Sequence, residues 1–190
     1  MELLGFDRRF ALLVQECHLT KNMLLSGFDL LLKANLYQER DGYFYSAFFS
    51  ISIGMERLLK LALVTHHMLT NEYQTPTIRI LRDEFGHKLK KLYSDASKVI
   101  PLYAATNAPN SILQLCEDDA SILHFFHEFA LDSRYFNLNE VCEGKMIRSP
   151  TSQWLELGQN IYRRYIPSQF RERAALKVIY GMDRARKISS

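Results

Sequence analysis

The sequence predicts an all-α protein, a helical bundle of roughly five to seven helices. Three observations carry that expectation. Phe44, Phe48, Ile51, Met55, Leu58 and Ala62 are spaced 4, 3, 4, 3, 4, which is the helical period and not the strand period. Gly and Pro are scarce, 8 and 5 in 190 residues, which suits long uninterrupted elements. Alternating apolar–polar runs, which a half-buried strand needs, are absent.

Taken in order, a first helix is expected through Phe10 to Val14. A second is expected from Leu19 to Leu36, with Thr20 as its N-cap and Leu24, Phe28, Leu31 and Leu32 as its apolar stripe. The clearest helix spans Asp41 to Leu69. Beside its first stripe runs another, Tyr45, Phe49, Ser52, Glu56, Leu59 and Leu63, apolar except near Ser52 and Glu56. A helix apolar over most of its circumference is expected at the centre of its bundle. Asn71 to Ile78, with Pro76, reads as a loop. A short helix follows from Gly86 to Val99 and stops before Pro101.

Leu102 to Asn110 reads as loop, with Asn110 or Ser111 as a cap for a helix over Ile112 to Asp132. That helix carries Leu123, His127 and Ala130 on one face and Ile122, Phe126 and Phe129 on another. Asn137 to Pro150 is expected to be irregular. A final helical pair begins at Thr151 or Ser152, carries Trp154, Ile161 and Tyr165, and breaks at Pro167. Ser168 would cap the last helix, with Phe170, Ala174, Val178 and Met182 facing inward. No linker, repeat or low-complexity tract divides the chain, so residues 1–190 read as a single helical domain with a basic C-terminal extension over 151–190.

Composition narrows the class. Hydrophobic residues make up 47% and charged residues 24%, a globular balance rather than a disordered one. Cys17, Cys116 and Cys142 are far apart and form no CxxC pair, so neither a zinc knuckle nor a disulfide framework is expected. Three reduced thiols fit a cytoplasmic protein. The opening MELLGFDRRF places acid and arginine inside its apolar stretch, unlike a secretory leader. No apolar run reaches the roughly 18 residues that span a bilayer, so no membrane partner is expected.

Net charge is +3, unevenly placed. From Asn160 onward there are eight basic residues, among them Arg163, Arg164, Arg171 and Arg173, against Glu172 and Asp183. A basic end on an acidic body suits a polyanion such as RNA; a solvated helix face is the alternative. Tyr162 and Tyr165 interleave with Arg163 and Arg164, an arrangement that stacks and clamps single strands or packs in a core. His124, His127 and Glu128, with His66 and His67, lack a matching thiolate or carboxylate spacing, so neither a metal nor another cofactor is expected. Phosphate-cradling Gly-rich loops, GxSxG elbows and zinc-protease signatures are absent.

Three segments carry a resemblance: FYSAFFSISIGMERLLKLAL, GHKLKKLY and the helix ending in DSRYF. Together, over about residues 20–136, they resemble the HEPN family (higher eukaryotes and prokaryotes nucleotide-binding domains). Members of that family are helical bundles with a Glu and a Lys on the second core helix, here Glu56 and Lys60. Many carry Gly-His-x-Leu followed by Leu, here Gly86, His87, Leu89 and Leu92. Many show Arg-Tyr after a later helix, here Arg134 and Tyr135.

The resemblance implies a homodimer and, in catalytic members, a metal-independent ribonuclease built on Arg-x(4–6)-His in bacterial defence or toxin–antitoxin systems. Arg82 and His87 match that spacing, although they precede the short helix rather than lying by the last core helix, and Asp83 and Glu84 lie between them. The chemistry has a physical basis. A ribose 2′-hydroxyl needs a base and a pentacoordinate phosphate needs a cation. His titrates near neutrality, and Arg offers a fixed bidentate fork.

Under this reading His87 is the general base or acid and Arg82 holds the phosphate. Arg134 assists, and Arg163, Arg164, Arg171 and Arg173 hold the RNA backbone. The alternative for the first pair is that His87 caps the short helix and Arg82 is a solvated charge. Glu56 on an apolar stripe needs a partner. Lys60, four residues on, is expected to form a structural ion pair with it, and Arg134 is a second candidate partner. A non-catalytic module that binds a protein partner or a nucleotide is the competing functional reading.

Overall fold

A computed structural model describes residues 8–34, 42–103, 115–144 and 148–171. The architecture is all-α, a helical bundle, and no strand occurs among the described residues. The chain falls into two compact units, Met1–Thr151 and Ser152–Ser190. The first holds α1 (Arg8–Lys33), α2 (Gly42–Thr70), α3 (Leu89–Val99), α4 (Glu117–Leu131) and α5 (Phe136–Glu143). The second takes up nearly all of α6 (Pro150–Tyr165).

α1 is one helix where two were expected. Thr20 lies inside it, buried, with its hydroxyl unpartnered among the described residues. A threonine is a weak stop signal, and the strong helix formers around it, with a partner helix alongside, keep the helix continuous. Leu24 and Leu31 face the interior, but Phe28 and Leu32 are exposed. The inward line runs instead through buried Thr20 and Gly27 and half-buried Leu24 and Leu31, again at spacings of 4, 3 and 4.

α1 and α2 pack antiparallel, as the pairs Leu24 with Gly54, Gly27 with Ile51 and Glu16 with Arg57 show. Glycine sets how close they come. A Cβ on Gly27 would lie 2.6 Å from Ile51 Cγ1, and one on Gly54 would lie 2.8 Å from Leu24 Cδ2. Both distances are below any real contact, so the bare backbones are what let the neighbouring side chains interlock. An ion pair between Arg57 and Glu16, 3.2 Å apart, fixes the register further along the same seam.

α2 occupies the centre, packed against α1, α3 and α4. Its first predicted stripe is buried through Phe44, Phe48 and Ile51. Burial then moves one residue round the helix to Leu59 and Leu63, leaving Leu58 half exposed. The shared core with α4 is aromatic. Phe48 meets Phe125 at 4.8 Å and Phe129 at 5.4 Å between ring centroids, both edge-on. Edge-on pairs place a positive ring edge on a negative face, worth about 0.5–1.5 kcal/mol each beyond the area they bury.

α3 contributes Leu89, Leu92 and Ala96, all fully buried. It starts three residues later than expected, and a six-residue π turn, Ile80–Phe85, precedes it. α4 begins at Glu117, later than expected. Its cap is Cys116, whose Sγ accepts from the Asp119 N–H while Asp119 Oδ2 accepts from the Cys116 N–H. That reciprocal pair satisfies two orphan donors, and Glu117, Asp118 and Asp119 suit the positive end of the dipole. The expected caps Asn110 and Ser111 lie outside the described residues.

The segment from Asn137, expected to be irregular, is largely helical. α5 follows a 3-10 turn, Ser133–Tyr135, and ends at Gly144, whose φ of +63° is the left-handed conformation that closes a helix. The mean apolar signal of this segment is weak because Leu138 and Val141 point to solvent, which hid it from the periodicity argument.

In the second unit, α6 opens on Pro150, a residue already suited to the first turn. Arg163 and Arg164 lie in its last turn, where the helix dipole favours cations. It ends at Tyr165, just ahead of Pro167. Ala174, Val178 and Met182 of the expected last helix lie outside the described residues. Cys17, Cys116 and Cys142 are free and exposed. No helix among the described residues is long and apolar enough to cross a membrane.

Candidate functional site

Three distant segments meet at one cleft in the first unit. α2 supplies Phe49, Ser52, Ile53 and Glu56; the turn before α3 supplies His87; α4 and the turn after it supply Phe129, Leu131 and Arg134. Its volume is about 340 Å³. Phe49 and Phe129 meet edge-on at 5.2 Å and build an aromatic wall. Buried Ser52 donates its hydroxyl to the Phe49 carbonyl at 3.1 Å, so the polar break in the apolar stripe is accommodated within its own helix.

Glu56 is the hub. Its Oε1 lies 2.8 Å from Lys60 Nζ and 2.8 Å from His87 Nδ1. Lys60 follows it by one turn, the favourable order on a helix. The Lys60 nitrogen is 3.4 Å from His87 Nδ1, but an ammonium only donates. Two contacts on Nδ1 therefore cannot both be hydrogen bonds. The shorter one, to a carboxylate, places the proton on Nδ1. Nε2 is then the basic nitrogen of the neutral ring.

His87 reaches this position because Gly86 precedes it. Gly86 has φ +58° and ψ −154°, a combination open essentially to glycine alone. The chain bends at the next residue, His87, which comes onto α2. His87 does not cap α3: Lys88 is the N-cap residue, without a side-chain cap bond. The imidazole is 69% exposed, against 22% for Glu56. The imidazole is thus reachable and its partner is largely enclosed.

Arg134 lines the same cleft, with its guanidinium 5.0 Å from the centroid of the Tyr135 ring. That cation–π contact keeps the cation near the rim without neutralising it. Glu56 takes Lys60 and His87 as its partners, and no Arg134 pair with it occurs among the described residues. Arg82 lies outside the cleft lining. It belongs to the π turn, is 72% exposed, and pairs with Asp83 at 2.8 Å.

Of the basic residues expected to hold RNA, Arg163 and Arg164 are exposed on α6, flanked by exposed Tyr162 and Tyr165. Arg171 is at the last described position, and Arg173 lies outside the described residues. Of the cleft walls, Phe49 and Phe129 were read from the sequence only as apolar stripe positions, and Ile53 and Leu131 were not singled out. The only hint was the polar break at Ser52 and Glu56.

Two histidines elsewhere have partners away from the cleft. His66 Nδ1 and the Tyr103 hydroxyl are 2.9 Å apart, and His124 lies 3.6 Å from Glu128. No group of three His, Cys, Asp or Glu side chains among the described residues is placed to hold a metal ion. A second and larger hollow, about 760 Å³, runs between the first turns of α1 and the last turns of α2. Phe10, Val14, Leu58, Leu69 and Tyr103 line it, each at least partly exposed.

No family model, no curated protein and no solved structure matches this chain.

Proposed function

We propose that this protein is a HEPN-like, RNA-directed, metal-independent ribonuclease, with the cleft of Glu56, His87 and Arg134 as its site. The observation that carries the reading is the 2.8 Å contact of His87 Nδ1 with Glu56 in a cleft that Arg134 also lines. A carboxylate behind an imidazole fixes its tautomer and ring orientation, the arrangement found behind histidine bases.

In the step proposed, His87 Nε2 removes the proton of a ribose 2′-hydroxyl. The oxygen attacks the adjacent phosphorus, the bond to the 5′-oxygen breaks, and that oxygen takes a proton from water. The products are a 2′,3′-cyclic phosphate and a free 5′-hydroxyl. Arg134, in place of Arg82, holds the charge that develops on the phosphate. The volume of the cleft, about 340 Å³, and its aromatic wall suit an unpaired nucleotide.

The experiment is cleavage of a labelled single-stranded RNA in chelator, comparing the wild type with Arg134→Ala and Arg82→Ala. The reading expects cyclic-phosphate ends, a loss of about 10²–10³-fold for Arg134→Ala, and little change for Arg82→Ala. The reverse ranking would return the role to Arg82. Cleavage that needs a divalent ion would remove the proposal.

A second reading, a binding module without chemistry, draws on the 760 Å³ apolar hollow. In this reading its occupant is a second copy of the chain, the homodimer that the resemblance also implies. Leu58→Arg would then convert a dimer to a monomer in sedimentation, and a wild type that sediments as a monomer would sink this reading.

A further inference from the structure

His127 is placed unlike the other histidines. It sits on α4, two residues before Phe129 of the cleft wall, with its side chain only 12% exposed. Its Nδ1 is buried and has no hydrogen-bond partner among the described residues. Nε2 is 4.0 Å from Glu128 Oε1, too far for a hydrogen bond. An imidazolium here would have to bury a second N–H with nothing to receive it, which is costly.

The charges around it point the same way. Burial pushes its pKa below the ordinary value. Lys90 and Lys88, at the start of α3, and His124 on its own helix push in the same direction. Glu128, also on α4, opposes them. The start of α3 is where Leu89 and Leu92 are fully buried, and α3 packs on α4. His87 is one residue before Lys88. The turn that carries His87 onto Glu56 therefore runs straight into the start of α3.

We propose that His127 is a proton-sensitive latch, which in its neutral form docks the start of α3 on α4 and so seats His87 against Glu56. Above the ordinary imidazole value of about 6.5 both the docked and released forms are neutral, and the latch holds. As pH falls through that value the released form takes up a proton that the docked form resists. Docking weakens progressively, and His87 leaves the cleft. The consequence for catalysis rests on the ribonuclease reading; the latch itself does not.

Hydrogen exchange of the full chain tests the latch independently of any cleavage. Protection factors of the α3 amides are compared at about pH 7.5 and about pH 5.5, either side of the ordinary histidine value. The expected result is a loss of up to about tenfold at the start of α3 in the wild type, the most that one pH unit below the ordinary imidazole value allows, with α2 unchanged. His127→Phe, which fills the space, and His127→Gln, which stays polar without titrating, should both abolish the loss. An equal loss in wild type and both variants, or no loss in the wild type, overturns the proposal.

Discussion

Glu56 Oε1 and His87 Nδ1 lie 2.8 Å apart, although 31 residues separate them in the chain. Two local devices make the contact. The helical period brings Glu56 round α2 to the side on which α3 begins, and Gly86 turns the chain so that His87 lies against it. Lys60 holds the same carboxylate oxygen from one turn further along α2.

Gly86→Ala should damage the site without emptying it. A Cβ there meets nothing closer than 3.7 Å, so space is not the obstacle. The backbone conformation is, and an alanine held there costs about 1–3 kcal/mol. Thermal unfolding should show that loss, and the nuclear-resonance signal of His87 should shift as the ring leaves Glu56. A variant as stable as the wild type, with an unmoved signal, would contradict the role given to Gly86.

Two other glycines should respond in opposite directions. Gly54→Ala puts a methyl 2.8 Å from Leu24, and overpacking of this kind costs about 1–3 kcal/mol. Gly158 lies in α6 with nothing within 4 Å. Gly158→Ala should therefore stabilise its helix by about 0.5–1 kcal/mol. Denaturant titration of both variants reads the difference, and a Gly54→Ala protein as stable as the wild type would mean that the α1–α2 spacing is not set by glycine.

Asp95 gives a pH prediction. Hydrogen bonds from Lys91, then Lys98, hold its carboxyl below the ordinary value against the opposing effect of burial. A depressed carboxyl stabilises the fold above its unfolded pKa and stops doing so as pH falls through its folded pKa. Asp95→Asn should therefore lower stability at neutral pH by about 0.3–0.5 kcal/mol for each exposed helical pair it removes. The two proteins should converge below about pH 3.8, near the ordinary Asp value. A constant gap down to acid pH would show that the effect is not ionic.

The basic C-terminal residues give a salt prediction. If Arg171 and Arg173 bind RNA phosphates, reversing both charges should flatten the dependence of log affinity on log salt. The slope should fall by about 0.7 for each phosphate of a single strand that is no longer neutralised. Filter binding across a salt series measures it. An unchanged slope would assign these residues to solvent or to packing.

Much of this was legible in the sequence, for reasons that differ by element. α2 was readable because its apolar stripe is long and its period strict. The Glu56–Lys60 pair was readable because its spacing lies within one helix. The continuity of α1 was not, since Thr20 looks like a cap until a partner helix lies beside it. α5 was missed because its apolar residues face solvent and leave no buried stripe. Arg82 drew attention through its spacing from His87, but spacing along a chain does not survive a π turn, which sends its side chain to Asp83. Arg134 was named through the Arg-Tyr resemblance, but its place in one cleft with the Phe49–Phe129 wall comes from packing of α4 on α2, a long-range fact that no local pattern carries.

The central claim is that the His87–Glu56 pair is a base. Its most direct test is the rate of chelator-insensitive cleavage of single-stranded RNA by His87→Ala, alongside the wild type, with helical content and oligomeric state checked on the same samples. The account predicts loss of about 10²–10⁴-fold, the range for a positioned general base, in a protein whose fold is unchanged. Cleavage at the wild-type rate by a folded His87→Ala protein would contradict it.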